Sequence, residues 1–204
     1  TTGSFEKGWR YINNQWWLYK CGTNEQIFAE LFSYKFASLI GLNTAIYEYD
    51  QGYIRSKNFA SKYNFEPIAS LLGDNDSYDL VFTTLLNIDR SIAKDYLKLC
   101  FFDCVINNID RHNENIGLLR NRVDGKIKAL APNFDNNLAL YSNVPISLND
   151  PKKDGMIKLF LNFIKNNEDA KSIYKTLAFR DIGVDEINKI INSISVKANI
   201  SNKL

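Results

Sequence analysis

The chain has 204 residues, of which 45% are apolar and 24% charged, and its formal net charge is +2. That composition belongs to a folded domain with a sizeable core and argues against a disordered chain. The near-neutral balance gives no general field for capturing nucleic acid or an anionic membrane surface, and no stretch reaches the roughly 18–20 apolar residues of a membrane span.

From the N-terminus, Trp9–Ile12 and Gln15–Lys20 read as two short strands around an Asn13-Asn14 turn. Thr23 is a helix cap, and Gln26 three residues later completes a capping box. The helix that follows carries Ile27, Phe28, Leu31, Phe32, Phe36, Leu39 and Ile40 at helical spacing, and Gly41 ends it. Thr44–Tyr49 and Tyr53–Ser56 form a second strand pair around Asp50-Gln51-Gly52.

Beyond Ser56 the pattern is mainly helical. Ser91 is placed to cap a helix from Ile92 to about Asn107 that is apolar nearly all round, so it should be central and buried. Ile116–Arg120 and Lys126–Leu130 read as a hairpin with Asp124-Gly125 in its turn. Asp154–Lys165, Asn167–Leu177 and Val184–Ser195 read as amphipathic helices. The order predicts an α+β chain with a small β-rich part over residues 1–56 and a larger, mainly helical part over 57–204.

The three cysteines, Cys21, Cys100 and Cys104, are too few and odd in number for a disulfide framework. Buried apolar thiols in a reducing compartment fit them, so a cytoplasmic location is expected. No signal-peptide pattern opens the chain.

The chemistry concentrates in Asn108-Ile109-Asp110-Arg111-His112-Asn113-Glu114-Asn115, between the buried helix and the hairpin, and in Phe134-Asp135-Asn136 just after it. The hairpin can fold Asp135 back beside Asp110 and Asn115. Mg²⁺ prefers a few hard protein oxygens together with phosphate oxygens, a task that Asn115 and Asp135 suit. Asp110 can accept the proton of an incoming hydroxyl. Phosphoryl transfer asks for this division of labour.

These two segments together resemble the catalytic core of HipA-like serine/threonine kinases, and phosphoinositide kinases have a similar Asp-Arg-His-x-x-Asn loop. The resemblance runs from about Gly3 to Asn136. Gly3-Ser4-Phe5-Glu6-Lys7-Gly8 looks like the family's phosphate loop. Trp17-Leu18-Tyr19-Lys20 looks like the strand carrying the ATP lysine. Asn24-Glu25 looks like the start of the helix whose acid orients that lysine.

The resemblance implies a two-lobed, protein-kinase-like fold that binds ATP and Mg²⁺ and phosphorylates a protein on serine or threonine. It makes Asp110 catalytic and Asn115 and Asp135 metal ligands. It places Gly3, Ser4, Lys20, Glu25 and His112 around the nucleotide, with the adenine near Tyr53, Ile54, Arg55 and Ser56. Glu30, deeper in the helix, is the other candidate partner for Lys20. His112 is expected to hold the loop by hydrogen bonding, and Arg111 to brace it.

Ser4 is a candidate for autophosphorylation. HipA-like kinases often act as toxins of toxin–antitoxin pairs, so an antitoxin is an expected partner. Their additional N-terminal domain has no room here, so a companion chain supplying it is expected too. Trp16, Trp17 and Tyr19 read as a packed sheet face rather than a base-stacking platform, so direct nucleic-acid binding is not expected. The competing readings are a lipid or small-molecule kinase with the same loop and an inactive kinase fold used as a binding module.

Overall fold

The computed structural model describes residues 6–140 and 155–196. Strands β1 (Lys7–Ile12), β2 (Gln15–Lys20), β3 (Tyr47–Asp50) and β4 (Tyr53–Lys57) form an antiparallel sheet in the order β1-β2-β4-β3. The β1–β2 turn uses Asn13 and Asn14, both at positive φ (50° and 60°), as a two-residue hairpin requires. The register pairs Lys7 with Lys20, Trp9 with Leu18 and Tyr11 with Trp16, so these six side chains share one face.

Helix α1 (Asn24–Leu39) begins as the sequence predicts. Thr23 Oγ1 accepts from Gln26 N at 3.3 Å, and Gln26 Oε1 accepts from Thr23 N at 2.9 Å. Its apolar face packs with Tyr47 and Ile54 of the adjoining sheet and with Ala45 just before it.

A second antiparallel sheet joins β5 (Tyr63–Pro67), β6 (Gly117–Asn121) and β7 (Ile127–Leu130). Between β5 and β6 lie α2 (Ala69–Leu72), α3 (Tyr78–Ile88) and α4 (Arg90–Ile106), and after β7 come α5 (Gly155–Asn166), α6 (Glu168–Tyr174) and α7 (Val184–Asn192). Neither β5 nor α3 stood out in the sequence pattern. Helix α4 begins two residues earlier than expected. Asp89, not Ser91, is its cap, because Asp89 is extended and its Oδ1 accepts from Ser91 N at 2.6 Å.

Two clusters of buried apolar side chains form the core. One gathers α3, α4, α5 and α6 around Phe82, Tyr96 and Phe163. The other gathers α1 and the first sheet, and takes Phe102 and Ile106 from α4. Helix α4 thus serves both, as its nearly all-round apolarity predicts. Among the described residues no helix is long and apolar enough to cross a membrane.

One close approach sets the start of β6. A Cβ on Gly117 would lie 2.2 Å from the Phe65 ring and 2.8 Å from the Glu66 carbonyl. Gly117→Ala should therefore lower unfolding free energy by about 1–3 kcal/mol, the usual range for overpacking. Urea denaturation measures this, and wild-type stability would show that Phe65 can move aside.

Candidate active site

Strand alternation turns Leu18 and Lys20 of β2 to the same side, and Lys20 is only 8% exposed. Its ammonium meets two carboxylates. Nζ lies 2.5 Å from Asp135 Oδ1 and 3.4 Å from Glu30 Oε1. Burial alone would lower the Lys20 pKa, but the charges of Glu30 and Asp135 outweigh it and hold the ammonium above its ordinary value. Glu30 is fully buried, and its other oxygen accepts from Asn136 N at 2.9 Å.

The acid beside Lys20 is therefore Glu30, which corrects the choice of Glu25. Glu25 lies in the first turn of α1. Five residues on a helix turn the side chain by about 140°, so Glu25 and Glu30 cannot serve the same point.

The catalytic-loop candidates gather as expected. Asp110, His112, Asn115 and Asp135 line one cavity of about 470 Å³ together with Lys20, Lys7 and Trp9. The Asp110 carboxyl is pushed above its ordinary value, mainly by burial, with the Asp135 charge adding to the effect. Asp135 has a positive φ of 58° and is held there by its N–H, which donates to the Tyr47 hydroxyl at 3.0 Å. His112 heads the single 3₁₀ turn Asn113–Asn115, and its Nδ1 accepts from Glu114 N at 3.3 Å.

Asn115 Nδ2 donates to the Asp110 carbonyl at 3.2 Å and lies 3.1 Å from His112 Nε2. These contacts fix the amide, so its Oδ1 is the half turned away from the loop. That oxygen and the Asp135 carboxylate are hard donors on one cavity, which suits Mg²⁺ sharing its remaining positions with phosphate. Among the described residues no cluster of three or more His, Cys, Asp or Glu forms a cage, so a divalent ion here would depend on its second partner.

Arg111 braces the site, as the sequence suggested. It is buried, pairs with both oxygens of Asp103 at 2.9 and 3.0 Å, and donates to Asn115 O at 3.0 Å and Phe134 O at 2.7 Å. It also reaches Asn133 Oδ1 at 2.7 Å and Asn136 Oδ1 at 2.8 Å. One guanidinium thus ties the Asp110–Asn115 loop to the segment carrying Asp135.

Of the residues expected near the adenine, Tyr53, Ile54 and Arg55 do not line the cavity and Ser56 does. Tyr53 is 41% exposed, Ile54 is buried in the core, and Arg55 pairs with Glu48 at 2.6 Å and Asp50 at 3.0 Å while stacking on Trp17. From Ser56 the wall continues through Lys57, Asn58 and Phe59. The reason is strand length: β4 runs on to Lys57, so Tyr53 sits at its far end beside the β3–β4 turn. Phe59, Phe65 and Phe134 pack ring to ring at 5.4–5.8 Å between centroids and give the cavity an apolar side.

Several residues were not singled out from the sequence. Lys7 faces Lys20 in register on the cavity wall, as alternation along β1 from Trp9 allows. Asp103 is a carboxylate flanked by Phe101, Phe102, Cys104 and Val105, which was a readable signal for a buried partner. Tyr47 and Asn133 carried none, and Asn136 stood only as the third residue of Phe134-Asp135-Asn136. Gly3 and Ser4 lie outside the described residues.

No family model matches the sequence, and no curated protein is similar to it in sequence. Solved structures are similar in fold. The Helicobacter pylori proinflammatory kinase CtkA superposes with a TM-score of 0.74 at 19% identity, over 95% of this chain and 85% of that one. HipA of Shewanella oneidensis MR-1, solved with HipB and operator DNA, superposes with a TM-score of 0.57 at 11% identity. That match covers 94% of this chain and 62% of HipA, so this chain spans less than two thirds of HipA's length. The fold is thus α+β and kinase-like, as the catalytic-loop resemblance implied.

Proposed function

We propose that the chain is an ATP- and Mg²⁺-dependent phosphotransferase that phosphorylates serine or threonine on a protein. The observation that carries this reading is the meeting of Lys20, Asp110, Asn115 and Asp135 on one cavity with an apolar aromatic side. In this reading the lobe boundary falls at Ser56/Lys57, within the cavity wall.

Phe59, Phe65 and Phe134 give a nucleobase an apolar flank, with Trp9 and Leu18 across the cavity from the strand side. Lys20 and Lys7 present two cations to the phosphates, and Glu30 keeps Lys20 oriented. Asn115 and Asp135 would hold Mg²⁺, which supplies charge neutralisation on the transferred phosphoryl group. Asp110 takes the proton of the acceptor hydroxyl, and its raised pKa makes it a better base than an exposed aspartate.

Protein rather than lipid as acceptor follows the resemblance of the Asp110–Asn115 loop to HipA-like serine/threonine kinases, and one fold neighbour was solved with a HipB partner. By the same analogy an antitoxin-like companion chain is the partner proposed here, and Ser4 the position proposed for self-modification.

Incubation with labelled ATP and Mg²⁺, with and without host lysate, tests the reading. Label on a lysate protein supports it, label in the lipid fraction supports the lipid alternative, and binding without transfer supports an inactive fold. Asp135→Ala should weaken ATP binding in the presence of Mg²⁺ and abolish transfer. Calorimetric titration checks this, and equal wild-type ATP affinity with and without Mg²⁺ would remove the metal role of Asn115 and Asp135.

A further inference from the structure

The Lys20 ammonium stands nearer to Asp135 Oδ1, at 2.5 Å, than to Glu30 Oε1, at 3.4 Å. It therefore holds one of the two Asp135 carboxylate oxygens and sets a positive charge where a divalent cation would bind. Lys20 is 8% exposed, so it cannot swing into solvent and must keep a carboxylate partner. Two are in reach. Glu30 is fully buried, and with Oε2 taken by Asn136 N its Oε1 remains as a second seat for the ammonium. Lys7 lies directly across from Lys20 in the β1–β2 register, on the wall of the same cavity. Two like charges face each other there, an arrangement that an anion relieves.

We propose that Lys20 guards Asp135 against free divalent cations, so that the site takes up the cation only together with a polyphosphate. The polyphosphate draws Lys20 off Asp135 and toward Lys7 and Glu30, which frees the carboxylate. This rests on the metal–nucleotide reading above and adds to it an order of assembly and a second role for Lys20. Without the guard, a bare cation would bind Asp135 and Asn115 in the absence of nucleotide. With it, Asp135 carries a positive partner at every stage, first an ammonium and then a metal.

Equilibrium dialysis with Mn²⁺ as the probe tests the proposal, without reference to turnover. Wild-type protein should bind Mn²⁺ at least tenfold more weakly alone, or with AMP, than with the non-hydrolysable analogue AMP-PNP. Lys20→Met, checked for folding by circular dichroism, should bind Mn²⁺ alone at least tenfold more tightly than wild type. Glu30→Gln, which removes the second seat, should weaken Mn²⁺ uptake in the presence of AMP-PNP.

Equal Mn²⁺ affinity of wild type and Lys20→Met without nucleotide would overturn the guard and leave the metal–nucleotide reading in place. Should Lys20→Met fail to fold, wild-type affinity that is the same with AMP and with AMP-PNP overturns it. No Mn²⁺ retained by wild type even with AMP-PNP removes the metal–nucleotide reading and the guard together.

Discussion

Asp110→Asn should lower phosphotransfer by about 10²- to 10⁴-fold, the usual contribution of a positioned general base, while ATP affinity stays within about twofold. Asp110 lines the cavity with His112 and Asn115, while the carboxylates that pair with Lys20 are Glu30 and Asp135. Loss of charge should therefore remove the base and spare the phosphate-facing cations. Single-turnover transfer and calorimetric ATP binding separate the two effects, and near wild-type turnover in Asp110→Asn would overturn the assignment.

The pH dependence follows from the raised Asp110 pKa. The base works only when ionised, so wild-type activity should fall on acidification with a midpoint above the ordinary carboxylate value of 3.8. The stability consequence has the opposite sign. A carboxyl whose folded pKa exceeds its unfolded one contributes stability below the unfolded value and loses it as pH rises through the folded value. At neutral pH the ionised Asp110 works against folding. Asp110→Asn should therefore melt no lower than wild type, and a clear drop in Tm would mean the side chain has a structural partner.

Asp103→Leu should cost about 3–5 kcal/mol, because it strands the Arg111 guanidinium without its carboxylate in a buried setting. The Arg111 and Asp103 side chains are 2% and 1% exposed, so water cannot replace the lost partner. Arg111 also holds the Asn115 and Phe134 carbonyls, so whatever protein remains folded should have lost activity as well. Chemical denaturation and a transfer assay on the folded fraction measure both. A loss under about 1 kcal/mol would show that Arg111 finds enough compensation in Asn133 and Asn136.

The parts of the site visible in the sequence were those carried by local chemistry. A capping box announced α1, an all-round apolar run announced α4, and the spacing of Asp110, Asn115 and Asp135 announced their convergence. The choice between Glu25 and Glu30 depends on which face of α1 meets β2, and that is set by packing, not by neighbours in sequence. Strand β5 was illegible for a similar reason. Its partner is β6, some fifty residues on, and its own pattern (Tyr63-Asn64-Phe65-Glu66-Pro67) ends in a proline that argues against a strand. Of Tyr53–Ser56 only Ser56 reaches the cavity, because a strand end cannot be fixed to one residue from propensity.

Helix α4 gives Phe102 and Ile106 to one apolar cluster and Tyr96, Leu97 and Cys100 to the other, and ends at the loop that carries Asp110. A chain built this way has no seam along which one half can melt while the other stays native. Opening either cluster exposes part of the same helix and so charges the cost to both. The loop carrying Asp110 is thereby anchored to the helix that both clusters share, and the freer edge of the cavity is the β1–β2 hairpin, where Tyr11 and Trp16 are about half exposed with their rings 5.1 Å apart.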